Sequence, residues 1–226
     1  MLRYILKIIM AVLMIAAIYF TFRYKVVPSS VTEVKSKVIV IDPGHGGEDP
    51  GKVGINDVLE KDVNLSISMY VKEYLEAEGY TVVLTRNDDN GLYSSSDANK
   101  KLADMKQRCK IIEESNADIV VSIHQNSFVE QSVHGGQVFY YKYSPEGKKL
   151  AMCIQNAFKE IVDPDNNRAI KDNDNYYMLV HTPCPTVIAE CCFLSNPGEA
   201  ELSVTQEYQM KVAKAVCEGI KTYMKG

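Results

Sequence analysis

A chain of 226 residues, 46% of them hydrophobic, is long enough for one good-sized domain plus an appendage and apolar enough to close a core. A net charge of −4 with scattered Lys and Arg gives no basic stripe and excludes nucleic acid as a partner. Heptads, internal repeats and low-complexity tracts are absent from the sequence, which excludes coiled-coil and solenoid architectures.

The appendage is residues 1–25. Arg3 and Lys7 precede an uninterrupted apolar run at 8–20, and Arg23 and Lys25 follow it. A helix crossing a hydrocarbon core of ~30 Å needs about 20 residues, so the run is short unless Lys7 snorkels and Thr21-Phe22 extend it. Such a segment exports the chain and brings it to the membrane. A retained signal-anchor is favoured over a cleaved signal peptide, because no A-x-A site precedes Arg23-Tyr24-Lys25. Residues 26–37, with Pro28-Ser29-Ser30, read as a polar linker, and residues 38–226 as the folded domain.

That domain opens on residues 38–54, VIVIDPGHGGEDPGKVG. Residues 38–41 are a buried strand, and the side-chain-poor turn at 42–47 leaves His45 open to a ligand. Residues 60–78 form a helix with Val63, Ile67, Val71 and Tyr74 on one face and Gly79 as its stop. A strand at 80–85, a polar loop at 86–96 and a helix at about 97–115 follow. Residues 118–123 are a strand running into His124. A further strand spans 137–141, a helix 145 to about 161, and an Asp/Asn-rich surface loop or lid 163–175. Strands at 176–180 and 186–191 flank a turn, the second running through Glu190. The last helix, 206–224, turns Tyr208, Val212, Val216, Ile220 and Tyr223 inward. Strands alternating with helices predict a single α/β domain with a mostly parallel twisted sheet and helices on both faces. Ligands of such sheets bind at the carboxyl ends of the strands, where His45, His124 and Glu190 fall.

Six cysteines in an exported domain would ordinarily suggest disulfides. Cys109 and Cys217 sit at apolar positions of helical patterns, and the adjacent Cys191 and Cys192 point to opposite faces of an extended segment, so they read as small core residues. The absence of a C-x-x-C pair argues against a thiolate metal site.

The chemistry these side chains suit is metal-assisted hydrolysis. Catalytic zinc takes about three His, Asp or Glu ligands and keeps one position for water. His45 and His124 supply two. Glu60 is best placed for the third, because the loop at 46–59 can fold back over the strand ends. Glu190, ending an apolar strand where a charge is costly, suits the general base. Each has a plainer reading: Asp57 and Glu60 could be only a capping box, Glu190 could pair with Arg86 or Arg168, and His45 and His124 could be satisfied turn histidines. One metal site accounts for all of them at once. His134 and His181 lack such support and read as loop histidines. Asp42, Ser122 and Asn126 are candidates for orienting the ligands or the substrate, with turn capping as the alternative.

VIDPGHGGEDPG with His45, EKDVNL with Glu60, TRNDD at 85–89, ADIVVSIHQNS with His124 and VIAECCFLSNPGEAELS with Glu190 together resemble the zinc-dependent N-acetylmuramoyl-L-alanine amidases of the Amidase_3 type. The resemblance runs from Val38 to the C-terminus. It implies one zinc ion held by His45, Glu60 and His124, with Glu190 catalytic. The implied reaction cuts the amide between muramic acid and L-alanine in peptidoglycan. A short form with a hydrophobic leader and no wall-binding repeats is similar to the germination-specific spore-cortex amidases, which prepare muramic acid for δ-lactam formation. An activator protein that completes the zinc site is a further expectation. Two rivals remain at this level: a zinc hydrolase of another wall bond, and a non-catalytic peptidoglycan- or partner-binding anchor. Cys192 stands where many relatives have glycine, and Gln125 replaces a small residue after His124, with consequences expected for the cleft.

Overall fold

A computed structural model describes residues 1–23 and 36–226, so most of the expected linker at 26–37 lies outside the described residues. The chain divides into two units, Met1–Lys35 and Ser36–Gly226. The first contains helix α1 (Leu2–Arg23). Among the described residues no helix is long and apolar enough to cross a membrane.

The second unit is built on one sheet. Strands β1 (Val38–Pro43), β2 (Thr81–Leu84), β3 (Ile119–Asn126), β4 (Gln137–Tyr141), β5 (Lys171–Asn173) and β6 (Thr186–Phe193) lie in the order β2-β1-β3-β6-β4-β5. Only the β4–β6 pair is antiparallel. Side chains alternate across the sheet, because successive residues of a strand point to opposite faces. Ile39, Ile41, Val121, Ile123, Val187 and Ala189 meet helices α2 (Glu60–Ala77), α4 (Pro145–Ala157) and α7 (Gln206–Met224) through Ile67, Val71, Leu150, Ile154, Val212 and Val216. Val40 and Val120 face the other way, onto Ile112 of α3 (Lys100–Glu114) and Met178 of α5 (Tyr177–His181). The sandwich expected from the sequence is therefore the fold. Its smaller face, under α3 and α5, also receives Asp42, Ser122, His124 and Glu190 by the same alternation.

Some elements differ from expectation. The stretch 176–180, read as a strand, falls on helix α5 and its N-cap Tyr176, since a short apolar run fits a buried strand and a buried helical turn equally well. Val180 N–H donates to Tyr176 O at 3.1 Å, and the Thr182 hydroxyl donates to Met178 O at 2.7 Å, closing that turn. The segment expected to be loop at 163–175 contains β5, whose polar residues pair in parallel with Phe139–Tyr141 of β4. Helix α3 begins at Lys100 rather than 97, where Asn99 Oδ1 accepts the Leu102 N–H at 3.0 Å. The short helix α6 (Pro197–Ser203) starts on an Asn196 cap and a first-turn proline.

Candidate active site

Strand β1 delivers His45 on a sharp turn. Gly44 N–H donates to Ile123 O at 3.0 Å, extending the β1–β3 ladder one residue past the strand. His45 then takes φ 61°, the left-handed region that costs a side-chain-bearing residue about 1–2 kcal/mol. Two buried guanidinium groups hold the turn there. Arg108 Nη2 donates to His45 O at 2.6 Å and Nη1 to Pro43 O at 2.7 Å, while Arg86 donates to Pro43 O and Gly44 O, both at 3.0 Å. Asp49 Oδ2 lies 3.0 Å from His45 Nδ1, which fixes the ring and leaves Nε2 facing Glu60 at 3.3 Å.

Glu60 arrives from the far side of the sheet. The loop between Gly46 and Leu59 folds back through the Val53–Leu59 bridge, and Glu60 N–H donates to Lys52 O at 3.0 Å. The N-cap of α2 is Leu59, without a side-chain cap bond, and Asp57 sits at φ 57°, so the capping-box reading fails. Glu60 is instead the first helical residue, where a carboxylate is favoured by the helix dipole. Its Oε2 accepts Lys52 N–H at 2.7 Å and its Oε1 accepts Gln125 N–H at 3.1 Å. Burial would raise its pKa, but hydrogen bonds and charge from His124 and His45 hold it far below the usual carboxylate range.

His124 and Glu190 are direct partners in the parallel β3–β6 pair, and the register slips just beyond them, between His124 and Asn126. His124 Nδ1 lies 2.9 Å from Glu60 Oε1, and the His45 and His124 rings stand edge to face at 5.0 Å. Burial would lower the His124 pKa, but the Glu60 carboxylate raises it. Glu190 is different. Its Oε2 is buried with no hydrogen-bond partner among the described residues, and burial pushes its pKa up to about 7 against the opposing His124 imidazole. Neither expected arginine pairs with it: Arg86 is spent on carbonyls, and Arg168 donates to His134 O at 2.7 Å. His134 and His181 lie apart from the cluster, His134 3.7 Å from Asp163 and His181 stacked on Tyr177.

Asp42 and Ser122 form the buried layer beneath. Asp42 accepts from Thr85 at 2.5 Å, Ser122 at 2.6 Å and Arg108 at 2.7 Å. Burial would raise its pKa, yet Arg108 and the two hydroxyls bring it down to about 2. Asn126 Oδ1 accepts its neighbour Ser127 N–H at 2.8 Å, the turn-capping alternative. The unusual pair Gln125 and Cys192 are partners: the Cys192 thiol donates to Gln125 Oε1 at 3.0 Å, Gln125 Nε2 to Asn64 Oδ1 at 3.1 Å, and Asn64 Nδ2 to Glu60 Oε1 at 3.3 Å. They support Glu60 from behind and are not among the residues lining the cleft. Sequence reasoning missed Asp49, Asn64 and Arg108. Asp49, four residues after His45, is the one a spacing argument could have found. All six cysteines are free thiols, three of them buried.

One ligand atom from each of His45, Glu60 and His124 lies within 4.8 Å of the others. His124 Nδ1 faces Glu60 Oε1 at 2.9 Å and His45 Nε2 faces Glu60 Oε2 at 3.3 Å, so both imidazoles converge on the one carboxylate, a donor set of the kind that holds zinc. The cluster opens into a cavity of about 590 Å³ between α3 and α5, with Glu190 in its wall. A His-Glu-His donor set beside an unpaired buried carboxylate, at the carboxyl edge of a mostly parallel sheet, defines the class of metal-assisted hydrolases.

Residues 39–222 match the model of the N-acetylmuramoyl-L-alanine amidase family Amidase_3. The germination-specific N-acetylmuramoyl-L-alanine amidase of Bacillus subtilis strain 168 is 37% identical over 193 residues, covering 84% of this chain and 81% of that protein. The structure of the CwlD amidase from Clostridioides difficile in complex with the GerS lipoprotein superposes with a TM-score of 0.82 at 40% identity, over 84% of this chain and 99% of that one. AmiC2 of Nostoc punctiforme, also an N-acetylmuramoyl-L-alanine amidase, gives a TM-score of 0.74 at 32% identity, over 84% of this chain and 98% of that one. The chain belongs to the Amidase_3 family and is a cell-wall hydrolase with N-acetylmuramoyl-L-alanine amidase activity.

Proposed function

We propose that His45, Glu60 and His124 hold one zinc ion, that Glu190 is the general base and acid, and that the enzyme acts outside the cytoplasmic membrane on spore-cortex peptidoglycan, preparing muramic acid for δ-lactam formation. The observation that carries the site assignment is the buried, unpaired Glu190 Oε2 beside the cluster. When bound, zinc polarises the amide carbonyl and acidifies water. Glu190 takes the water proton and returns it to the alanine nitrogen as the C–N bond breaks. A pKa of about 7 suits a group that must both accept and donate that proton near neutral pH. Asp49 keeps the His45 tautomer fixed, and α2 presents Glu60 from its rigid first turn.

The cortex role rests on the likeness to the germination-specific amidase. An accessory protein is supported by the CwlD relative, whose structure is a complex with a lipoprotein. The proposal that residues 1–25 serve as export signal or anchor rests on their composition.

The test is mass analysis of muropeptides after digestion by the full chain and by Glu190→Gln, with and without the accessory protein. Free peptides and peptide-free glycan from the wild type alone support the assignment. Near-normal turnover by a zinc-loaded Glu190→Gln would refute it. Cortex with normal muramic-δ-lactam in a strain lacking the gene would refute the cortex role.

A further inference from the structure

The cavity beside the metal cluster contains several charges, most of them already bound. Asp42 and Asp104 are paired with Arg108. Glu48 accepts from Lys100 at 2.6 and 2.8 Å, and that ammonium also lies 5.5 Å from the centre of the Tyr93 ring. Asp49 is engaged by His45. Arg108 is spent on two carboxylates and the carbonyls of the His45 turn. Lys101 differs from the other lining cations. Its Nζ stands 3.8 Å from Asp49 Oδ2, beyond hydrogen-bond distance, and its side chain is 75% exposed.

The position of Lys101 points the same way. It is the second residue of α3, in the turn where the helix dipole disfavours a cation, and the first turn of α3 contains no acid. The lining also holds Met105, four residues further along α3, and Tyr176, Met178 and Ile188 from other elements, which make much of it apolar. Lys101 is thus the most loosely held of the lining cations, paired with Asp49 at 3.8 Å without a hydrogen bond.

We infer that Lys101 receives a free carboxylate of the substrate's peptide, at the second residue from the cut amide, so that the enzyme favours stem peptides carrying the acid over those carrying the amide. This rests on the amidase reading and identifies a determinant of its specificity. The reach is consistent: an extended chain spans about 3.3–3.6 Å per residue, so that carboxylate lies roughly two residues' length from the reacting carbon. Lys101 is separated from the His45 ring by a single carboxylate, that of Asp49.

The test uses the zinc-loaded full chain and two small substrates, N-acetylmuramoyl-L-alanyl-D-glutamate with a free α-carboxylate and its α-amide. The wild type should prefer the acid by about two- to fivefold in kcat/KM. Lys101→Gln should abolish the preference through KM with kcat within twofold, and Lys101→Arg should keep it. Equal use of both substrates by the wild type, or a ratio unchanged in Lys101→Gln, would overturn the inference. A wrong base assignment has a separate signature, since it appears as turnover surviving in Glu190→Gln whatever the ratio. Calorimetry with the released dipeptide and its amide reads the same preference without hydrolysis. Equal affinity of the wild type for the two would again overturn it.

Discussion

Gly44→Ala perturbs the geometry of the proposed metal ligands more than it perturbs the fold. A Cβ on Gly44 would lie 2.7 Å from His124 Nδ1 and closer still to Cε1 and Nε2. The backbone cannot yield, because Gly44 is pinned by Ile123 O, Arg86 and Asn64 at 3.0, 3.0 and 3.1 Å. The imidazole must therefore retreat by about 1 Å to restore ordinary contact, out of the position that sets Nδ1 2.9 Å from Glu60 Oε1. A displacement of that size costs on the order of 10²-fold in rate, or about 2.7 kcal/mol of transition-state stabilisation. Overpacking of this kind costs the fold about 1–3 kcal/mol, so the variant should still fold. The assay measures kcat/KM on muropeptide, zinc content and thermal melting in parallel. A folded protein with zinc affinity and activity both reduced is expected. Wild-type turnover with stoichiometric zinc would mean that His124 is not a ligand in this geometry.

Two more substitutions test the supports of the site. Arg108→Met leaves the Asp42 carboxylate buried and unpaired and should cost about 3–5 kcal/mol. Asp42 is held at about 2, below the ordinary 3.8, so its stabilisation is complete above the ordinary value and is lost as pH falls through about 2. The variant should unfold in acid at higher pH than the wild type, and an unchanged acid midpoint by circular dichroism would contradict the pairing. Asp49→Asn should weaken zinc binding 10–100-fold in chelator competition while leaving the melting temperature nearly unchanged, because the amide oxygen can still accept the Gly51 N–H while the anionic partner of His45 Nδ1 is lost. Undiminished zinc affinity would show that Asp49 does not orient the ligand.

The sequence displayed the parts of this molecule that depend on repetition. Alternating Ile39, Val40 and Ile41 announced a strand buried on both faces, and the spacing of Val63, Ile67 and Val71 announced the helix beneath it. His45, His124 and Glu190 were legible because each ends an apolar run. Glu60 needed the loop to fold back, which its glycines allowed but did not demand. What stayed hidden depends on pairings distant in sequence. Arg108 reaches Asp42 across 66 residues, and the Cys192–Gln125 bond spans 67. Strand β5 has no apolar alternation to read, since Lys171–Asn173 are three polar residues at a sheet edge. Helix α5 was misread because one turn of YMLVH carries too few residues for its period to register.

The central claim is that three side chains bind the metal while Glu190, beside them, moves the proton. Zinc content and amide cleavage measured together on the full chain, on Glu60→Gln and on Glu190→Gln test it most directly. The account predicts near-stoichiometric zinc in the wild type and in Glu190→Gln, much reduced zinc in Glu60→Gln, and at least a 10²-fold loss of cleavage in both variants. Full zinc in Glu60→Gln, or full cleavage by Glu190→Gln, would contradict it.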